Sequence, residues 1–264
     1  MSEGKLILGS SHLGNPNLIS YGMKSAIEEA DIIIIESEDV FKNMCERLNC
    51  EPTTNVVAKF LGLNTNEEIG DFKEFVMTQI KEGQTVLIVP MAGQAGIGDP
   101  AIFVAQECHA LGVTVNIIPG PSLSTIAFLK SGFGDGSYSF EAQLQPEPGV
   151  FGYLQEIIKQ NKAAVYIEPN EGLEYFFKTV IPFYGKKRKA AIMVDLTLPE
   201  EKIYRGTLWD LWEKVENKEI APHIGRSTIV VDGSSGWHHD EGLQQPLRPK
   251  SIDDETYSDQ WDIK

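Results

Sequence analysis

Short aliphatic runs alternate with amphipathic segments over residues 5–131, and this alternation constrains the fold more than any other feature. The runs "KLILGS", "DIIIIES" and "QTVLIVP" each have the composition of a buried strand, and a segment with helical spacing follows each of them. Strands that alternate with helices predict parallel βαβ units whose helices cover the sheet. Ligands of such sheets bind beyond the carboxyl ends of the strands.

Two loops rich in Gly and Pro lie at such strand ends. The first, "MAGQAGIGDP", covers residues 91–100, and the second, "IIPGPSLST", covers residues 117–125. The first loop has neither the GxGxxG nor the GxxxxGK[ST] spacing, which excludes a P-loop nucleotide site. We expect Asp99 to cap the next helix with Pro100 at its first position, and Ser122 to cap the helix after the second loop. Two rigid loops at one sheet edge favour a bound cofactor.

The pattern changes near residue 140, where several strand-like segments with helices between them predict a second domain. The expected fold class is α/β, with an N-terminal parallel sheet in residues 1–137 and a C-terminal α+β domain in residues 138–233. Residues 234–264 hold seven acidic and three basic residues and few aliphatic ones, which predicts a flexible acidic tail. The stretch "QLQPEPG", residues 143–149, is a candidate hinge.

Charge and cysteine content exclude several classes of function. The net charge of −15 argues against DNA and against generic nucleic-acid binding. The dense basic run "GKKRK", residues 185–189, is interpreted as a solvated turn, with a local basic patch as the alternative. Three cysteines without CxxC spacing argue against a disulfide framework and a zinc site. No metal is expected, and "WHHD", residues 237–240, is interpreted as incidental.

Targeting signals are absent from the sequence by the usual criteria. The start "MSEGKLILGSSHLG" has too short an apolar run for a signal peptide. No stretch approaches the roughly 20 apolar residues of a membrane-spanning helix. The expected location is the cytoplasm, without a membrane partner.

The two loops and the helix between them carry a family resemblance. The stretch "AGQAGIGDPAIFVAQECHALGVTVNIIPGPS" resembles the signature of the tetrapyrrole methylase superfamily, the class III S-adenosylmethionine-dependent methyltransferases. Within it the chain is most similar to the ribose 2′-O-methyltransferases of small-subunit ribosomal RNA. Four more segments resemble that branch in the same order, namely "HLGNPNLIS", "AAVYIEPNEGL", "VDLTLPEEKIYRGTL" and "STIVVDG". The resemblance covers residues 5–233.

The resemblance implies two domains with the methyl donor, S-adenosylmethionine, in the cleft between them, in a homodimer. It also implies which positions hold the donor, largely through backbone atoms. The implied donor contacts are Gly93, Gln94, Ala95 and Ile97 in the first loop, Ser122 and Leu123 in the second, and Ile167 and Leu196 in the second domain.

The chain departs from the ribosomal RNA branch where that branch would meet RNA. Met91 to Ala95 stand where the branch has Asp-Ala-Gly-Thr-Pro, and Glu36 to Asp39 stand where it has EDTR. A basic run after the domain junction is replaced by "QLQPEPGVFG". We therefore expect a methyltransferase with an unassigned acceptor, either a small molecule, a peptide or RNA. The alternatives are a true ribosomal RNA methyltransferase and a non-catalytic relative that has kept the fold.

Four residues in the strand-end loops are candidates for the substrate side. His12 is the titratable group placed to act as a base for a hydroxyl or amide acceptor, although the family has proline there. The alternative is an ordinary loop histidine. Gly14 and Asn15 keep the Gly-Asn of the family and are expected to shape the substrate mouth. Glu36 is expected either to orient the acceptor or to cap the next turn.

Overall fold

The computed structural model describes residues 4–52, 55–58, 65–145, 149–220 and 226–233. The strands are β1 Lys5–Leu8, β2 Ile32–Ile35, β3 Asn55–Ala58, β4 Thr85–Val89, β5 Val115–Ile117, β6 Tyr138–Ala142, β7 Ala163–Pro169, β8 Lys189–Val194, β9 Lys202–Thr207 and β10 Arg226–Val231. The helices are α1 Gly22–Glu29, α2 Glu38–Leu48, α3 Asn66–Lys81, α4 Ala101–Ala110, α5 Leu123–Ser131, α6 Val150–Lys159, α7 Leu173–Tyr184 and α8 Leu208–Glu216.

The first sheet is parallel throughout and has the strand order β3-β2-β4-β1-β5. Strand β2 consists of four isoleucines, all buried, as expected for a strand that is covered on both faces. Helices α1 and α2 pack on one face, around Met23 and Phe41. Helices α3 and α4 pack on the other face, around Val76 and Val104. The parallel α/β sheet expected from the alternation is confirmed.

The second sheet is mixed and has the order β6-β7-β10-β8-β9. Strands β6 and β7 are parallel, and each of the other neighbouring pairs is antiparallel. Helices α6, α7 and α8 cover one face, with Phe176 and Phe177 at the centre of the core. The expected two-part α/β fold is therefore confirmed.

Helix α5 joins the two halves. It follows the second Gly/Pro loop of the first half, yet Ala127 and Phe128 pack against the second sheet at Ala163, Val165 and Val230. The far face of the second sheet is thus covered by a helix that precedes it in sequence. The boundary at residue 137 stays a prediction, and the first strand of the second sheet begins at residue 138.

Two sequence expectations need correction. The candidate hinge at residues 143–149 follows β6, so it lies within the second half, and residues 146–148 are outside the described residues. Leu144 is buried in the core of that half. The N-cap of α4 is Pro100 and the helix starts at Ala101, one residue later than expected. Asp99 instead accepts hydrogen bonds from Gly96 N at 2.9 Å and Ala101 N at 2.8 Å.

Other expectations fall partly or wholly outside the described residues. The acidic tail and "WHHD" belong to residues 234–264, which are not described. Within the described part of the chain, no helix is both long and apolar enough to cross a membrane.

Glu168 on β7 is fully buried, and its carboxylate ties the start of the stretch after β6 to the second sheet. Its Oε1 accepts a hydrogen bond from Leu144 N at 2.7 Å. Burial raises the pKa of Glu168 to about 7, although the Leu144 N–H and the charge of Arg226 act in the opposite direction. Because the folded chain holds this proton more tightly than the unfolded chain, the contribution of Glu168 to stability is fully present below pH 4.5, the ordinary pKa, and is lost as the pH rises through about 7.

Glu168→Gln should therefore remove part of the pH dependence of stability. We expect the free energy of unfolding to change less between pH 5 and pH 8 in this variant than in the wild type, by up to about 3 kcal/mol. Urea unfolding at the two pH values measures this. Glu171→Gln, at an exposed position nearby, is the control that should behave as the wild type. Equal pH dependence in all three proteins would contradict the account.

Candidate active site

The carboxyl ends of β4, β1 and β5 lie side by side, because these three strands are neighbours in the first sheet. Gly9 N donates to Ile88 O at 2.8 Å, and Ile118 N donates to Leu8 O at 2.9 Å, so the pairing continues past the strand ends. The loop after β1 therefore runs between the two Gly/Pro loops. The sequence prediction that both loops meet at one sheet edge is confirmed.

The first Gly/Pro loop folds back onto the loop after β1 and pairs with it. Ser11 N donates to Gly93 O at 2.8 Å, and Ala95 N donates to Gly9 O at 3.0 Å. The side-chain Nε2 of Gln94 also donates to Gly9 O, at 2.9 Å. The side chain of Gln94 thus holds the loop in place, and Ala95 points into the core of the first half, where it is buried.

Two glycines lie where the three loops meet. Gly93 has φ +73°, a conformation that glycine adopts at little cost, and a Cβ there would lie 3.5 Å from Pro121 O and 3.6 Å from a methyl carbon of Leu13. Gly120 is more restrictive, because a Cβ there would lie 2.2 Å from the Cβ of Ser10. The sequence alone carries no signal for this close approach.

The remaining donor-side residues of the two loops have different surroundings. Ile97 is 61% exposed at the rim of the first loop. Ser122 caps α5, as expected, and its Oγ accepts a hydrogen bond from Thr125 N at 3.3 Å. Leu123 is partly buried against the cluster that joins α5 to the second sheet.

The second half brings its two predicted residues to the same helix. Leu196 is buried in the cluster that contains Ala127 and Phe128 of α5. Ile167 is half-buried and lies two residues beyond Val165 on β7, so it is on the same sheet face, toward α5. The structure therefore places Ile167 and Leu196 on the face of the second sheet that α5 covers. Their contact with a donor stays a prediction.

The loop after β1 also contacts the turn after β8. The Oγ1 of Thr197 donates a hydrogen bond to Leu13 O. A Cβ on Gly14 would lie 2.7 Å from a methyl carbon of Leu198, so the Leu198 side chain packs closely against the Gly14 backbone. Asp195 and Thr197 both have positive φ, at 53° and 74°, which is costly for residues other than glycine. Sequence reasoning found no signal for this strained turn.

Glu201 holds the strained turn and links it to Lys130 of α5. Glu201 accepts a hydrogen bond from Thr197 N at 2.9 Å and pairs with the Nζ of Lys130 at 2.5 Å. Burial tends to raise the pKa of Glu201, but the hydrogen bonds from Lys130 and Thr197 and the charge of Lys130 lower it overall. Glu201 is therefore held as a carboxylate that connects the turn to α5.

The candidate substrate-side residues are all tied to these loops. The Oε2 of Glu36 accepts a hydrogen bond from Met91 N at 2.6 Å, so Glu36 fixes the start of the first Gly/Pro loop. Ser37, rather than Glu36, caps α2. Asn15 accepts a hydrogen bond from Asn17 N at 3.0 Å and caps the short 3-10 helix that follows.

His12 has one ring nitrogen already engaged. Gly14 N donates to its Nδ1 at 3.0 Å, so Nδ1 is an acceptor and the proton of the neutral ring is on Nε2. Burial lowers the pKa of His12, which favours this neutral form. In this arrangement Nε2 carries the proton and is a hydrogen-bond donor, whereas a base would need a free lone pair on that nitrogen.

Comparison with known proteins now gives the family. The sequence profile of the Tetrapyrrole (Corrin/Porphyrin) Methylases matches residues 12–211, and the chain belongs to this family. Ribosomal RNA small subunit methyltransferase I of Mycobacterium bovis is 28% identical over 239 residues, which cover 89% of this chain and 80% of that protein. The protein of the same name from Thermotoga maritima is 28% identical over 230 residues, with 87% and 99% covered.

Solved structures agree on the fold. Cobalt precorrin-4 methyltransferase has a TM-score of 0.59 at 17% identity, over 87% of this chain and 95% of that one. Uroporphyrin-III C-methyl transferase from Thermus thermophilus, in complex with S-adenosyl homocysteine, has a TM-score of 0.58 at 12% identity, over 86% and 97%. Family and relatives together make this chain a methyltransferase with S-adenosylmethionine as its donor. The alternative of a non-catalytic relative finds no support.

The loops of this chain fit such a donor. Gly93 leaves its backbone without a side chain where the three loops meet. The hydroxyls of Ser10 and Ser11 are buried in the same loops and have no hydrogen-bond partner among the residues described. A polar ligand at this junction would find bare backbone and unpaired hydroxyls nearby, which suits a donor with amino, carboxylate and ribose groups.

Gly93→Val should weaken donor binding strongly and leave the fold intact. The new side chain adds bulk at the junction of the three loops, so we expect at least a tenfold weaker affinity for S-adenosylhomocysteine in a calorimetric titration. Gly98→Val is the matched control, because Gly98 also has positive φ, at +74°, but no other atom lies within 4 Å of its Cβ position. Equal affinities of the two variants would show that the donor is bound elsewhere.

Proposed function

We propose that this chain methylates RNA of the small ribosomal subunit, with a ribose hydroxyl as the acceptor. The observation that carries the proposal is the match to ribosomal RNA small subunit methyltransferase I at 28% identity over nearly the whole chain. The resemblance to the ribose 2′-O-methyltransferases in five collinear segments supports the same acceptor. The net charge of −15 and the lost basic residues argue in the opposite direction, and the relatives outweigh them. An RNA of this kind implies a place of action in the cytoplasm.

The residues that would hold the donor are the backbone of Gly93 to Ile97, the start of α5 at Ser122 and Leu123, and the apolar side chains of Ile167 and Leu196. When bound, S-adenosylmethionine supplies a methyl group that its sulfonium has already activated. What the protein adds is mainly position: the paired loops fix one side of the cleft, and the second sheet closes the other. The rigid pairing of Gly9, Ser11 and Gly93 serves this purpose.

On the substrate side, we propose that Gly14 and Asn15 shape the mouth and that Glu36 acts through Met91. A carboxylate that holds Met91 N at 2.6 Å sets the position of the whole first loop. Glu36 is therefore a positioning residue in this proposal. His12, through Gly14, holds the loop after β1 in shape and offers its Nε2–H to the substrate.

A second copy of the chain is part of the proposal. Strand β5 lies at an edge of the first sheet, and Ile117 on it is 60% exposed. The adjacent helix α4 is apolar around most of its circumference, and Ile102 and Phe103 on it are also exposed. Exposed apolar surface of this kind is typical of contacts between subunits, which supports the expected homodimer.

The proposed function is tested by methyl transfer to RNA. Purified protein and radiolabelled S-adenosylmethionine are incubated with small-subunit ribosomal RNA transcribed without modifications. We expect label that is lost on digestion with ribonuclease and that maps to a 2′-O-methylated nucleotide. Free small subunits purified from cells that lack this protein are tested as a second substrate. If a protein that binds the donor labels neither substrate, the RNA proposal is wrong.

His12→Asn tests the role of His12. The amide oxygen of Asn can accept the Gly14 N–H in place of Nδ1, so we expect a loss in kcat of less than about tenfold and no change in the pH profile. A general base would contribute about 10² to 10⁴ and would add an ionisation to the profile. A loss of that size, together with a missing ionisation near the pKa of histidine, would show that His12 is the base.

A further inference from the structure

A basic groove lies at the far end of the second sheet from the donor cleft. Its volume is about 450 Å³, and it is formed by the turn between α7 and β8 and by the residues that follow β10. Four consecutive cations, Lys186, Lys187, Arg188 and Lys189, line it together with one carboxylate, Asp232. This is the "GKKRK" run, which sequence analysis interpreted as a solvated turn.

The structure shows a turn that is held in place. Leu208 N donates to Arg188 O at 2.8 Å, and Trp209 N donates to Lys186 O at 3.1 Å, so the start of α8 fixes the backbone of the turn. The Nζ of Lys186 is 3.6 Å from the centre of the Trp209 ring. A turn that is only solvated does not require these contacts. In a binding site, they would fix the conformation of the turn before a ligand binds.

The charges in the groove are not balanced by nearby acids. Lys187 and Lys189 are exposed, and within the described ranges no carboxylate lies within ion-pair distance of either. The Oδ1 of Asp232 accepts a hydrogen bond from Gly134 N at 3.2 Å. Arg188 donates to Tyr184 O at the end of α7, so one cation already offsets the negative end of that helix. The two lysines remain for an external anion.

Strand β8 connects the groove to the cleft. It begins at Lys189 and ends at Val194, two residues before Leu196, which puts the groove about 20 Å from the donor side at the usual rise per strand residue. A small substrate in the cleft would not reach the groove. A structured RNA would reach both, because its phosphates extend far beyond the nucleotide that is modified.

We propose that this groove binds phosphate groups of the RNA substrate and so helps to present the acceptor nucleotide to the cleft. Phosphate contacts by lysine add affinity and register without reading sequence. This inference rests on the proposed function, since it takes RNA as the substrate. It also locates the attractive surface of a chain whose net charge repels RNA elsewhere.

The test compares K187Q/K189Q with K5Q/K81Q. Both double variants remove two positive charges, but Lys5 and Lys81 lie near the amino ends of strands of the first sheet, away from the groove and the cleft. The probe is small-subunit ribosomal RNA made by transcription, and its affinity is measured by fluorescence at several salt concentrations. Thermal unfolding and binding of S-adenosylhomocysteine confirm that each variant is folded.

We expect K187Q/K189Q to bind this RNA about tenfold more weakly at 0.1 M salt, and the magnitude of its salt slope to fall by about 1.4 to 1.8, as two lost phosphate contacts require. The loss should appear in KM for RNA rather than in kcat. K187R/K189R should restore binding, and K5Q/K81Q should stay within about twofold of the wild type. These results together would support the proposal that the groove binds phosphate groups of the RNA.

Other outcomes separate the two proposals. If K187Q/K189Q binds and methylates RNA like K5Q/K81Q, the groove is not a phosphate site, while the proposed function stands. If the wild type binds RNA through the groove but transfers no methyl group to it, the groove binds phosphate as proposed, whereas the proposed function and the role of the groove in presenting an acceptor are wrong. If the wild type shows no salt-dependent binding to RNA, the groove proposal is overturned as well.

Discussion

The site depends on the hydrogen bonds that join the loop after β1 to the loop after β4. Ser11 N to Gly93 O and Ala95 N to Gly9 O form an antiparallel bridge between Ser10 and Gln94, just beyond the ends of two parallel strands. Backbone groups fixed in this way present donors and acceptors without a change in conformation when a ligand binds. Gly93 lies at this junction with positive φ and has no side chain. The same hydrogen bonds therefore hold a stretch of uncovered backbone where the donor is expected.

Among the described residues, helix α5 and the strained turn after β8 both join the two halves of the chain. Helix α5 starts at the second Gly/Pro loop and packs on the second sheet, so it connects that loop directly to the core of the other half. The turn at Asp195 to Leu198 holds positive φ angles because Thr197 bonds to Leu13 and Glu201 bonds to Thr197. Strain that is held by contacts from both halves is typical of sites that must stay preorganised.

The sequence predicted the parts of the site that depend on local patterns. The strand ends, both loops, the cap at Ser122 and the parallel sheet follow from periodicity and from the turn chemistry of Gly, Pro and Ser. The predicted N-cap of α4, Asp99, is one residue before the observed N-cap. The Asp99 carboxylate accepts hydrogen bonds both from Gly96 N and from Ala101 N. Such a bridge has no signature in spacing alone.

Features made by contacts between distant segments could not be predicted. Residue 120 must be glycine because Ser10 lies where a Cβ would be, and the strained conformation of Thr197 is held by its hydrogen bond to Leu13. Both partners are distant in sequence, so a local sequence pattern does not reveal either feature. The basic run at residues 185–189 was visible, but its contacts with Trp209 and α8 were not. The hinge at residues 143–149 was inferred from composition, and its first residues instead join the core of the second half.

A crystal structure of the protein with S-adenosylhomocysteine tests the central claim most directly. The account predicts that the ligand lies between the two halves, against the backbone of Gly93 and the start of α5, with Ile167 and Leu196 on its other side. A ligand bound away from the junction of the three loops, or one that displaces the Ser11–Gly93 and Ala95–Gly9 hydrogen bonds, would contradict it.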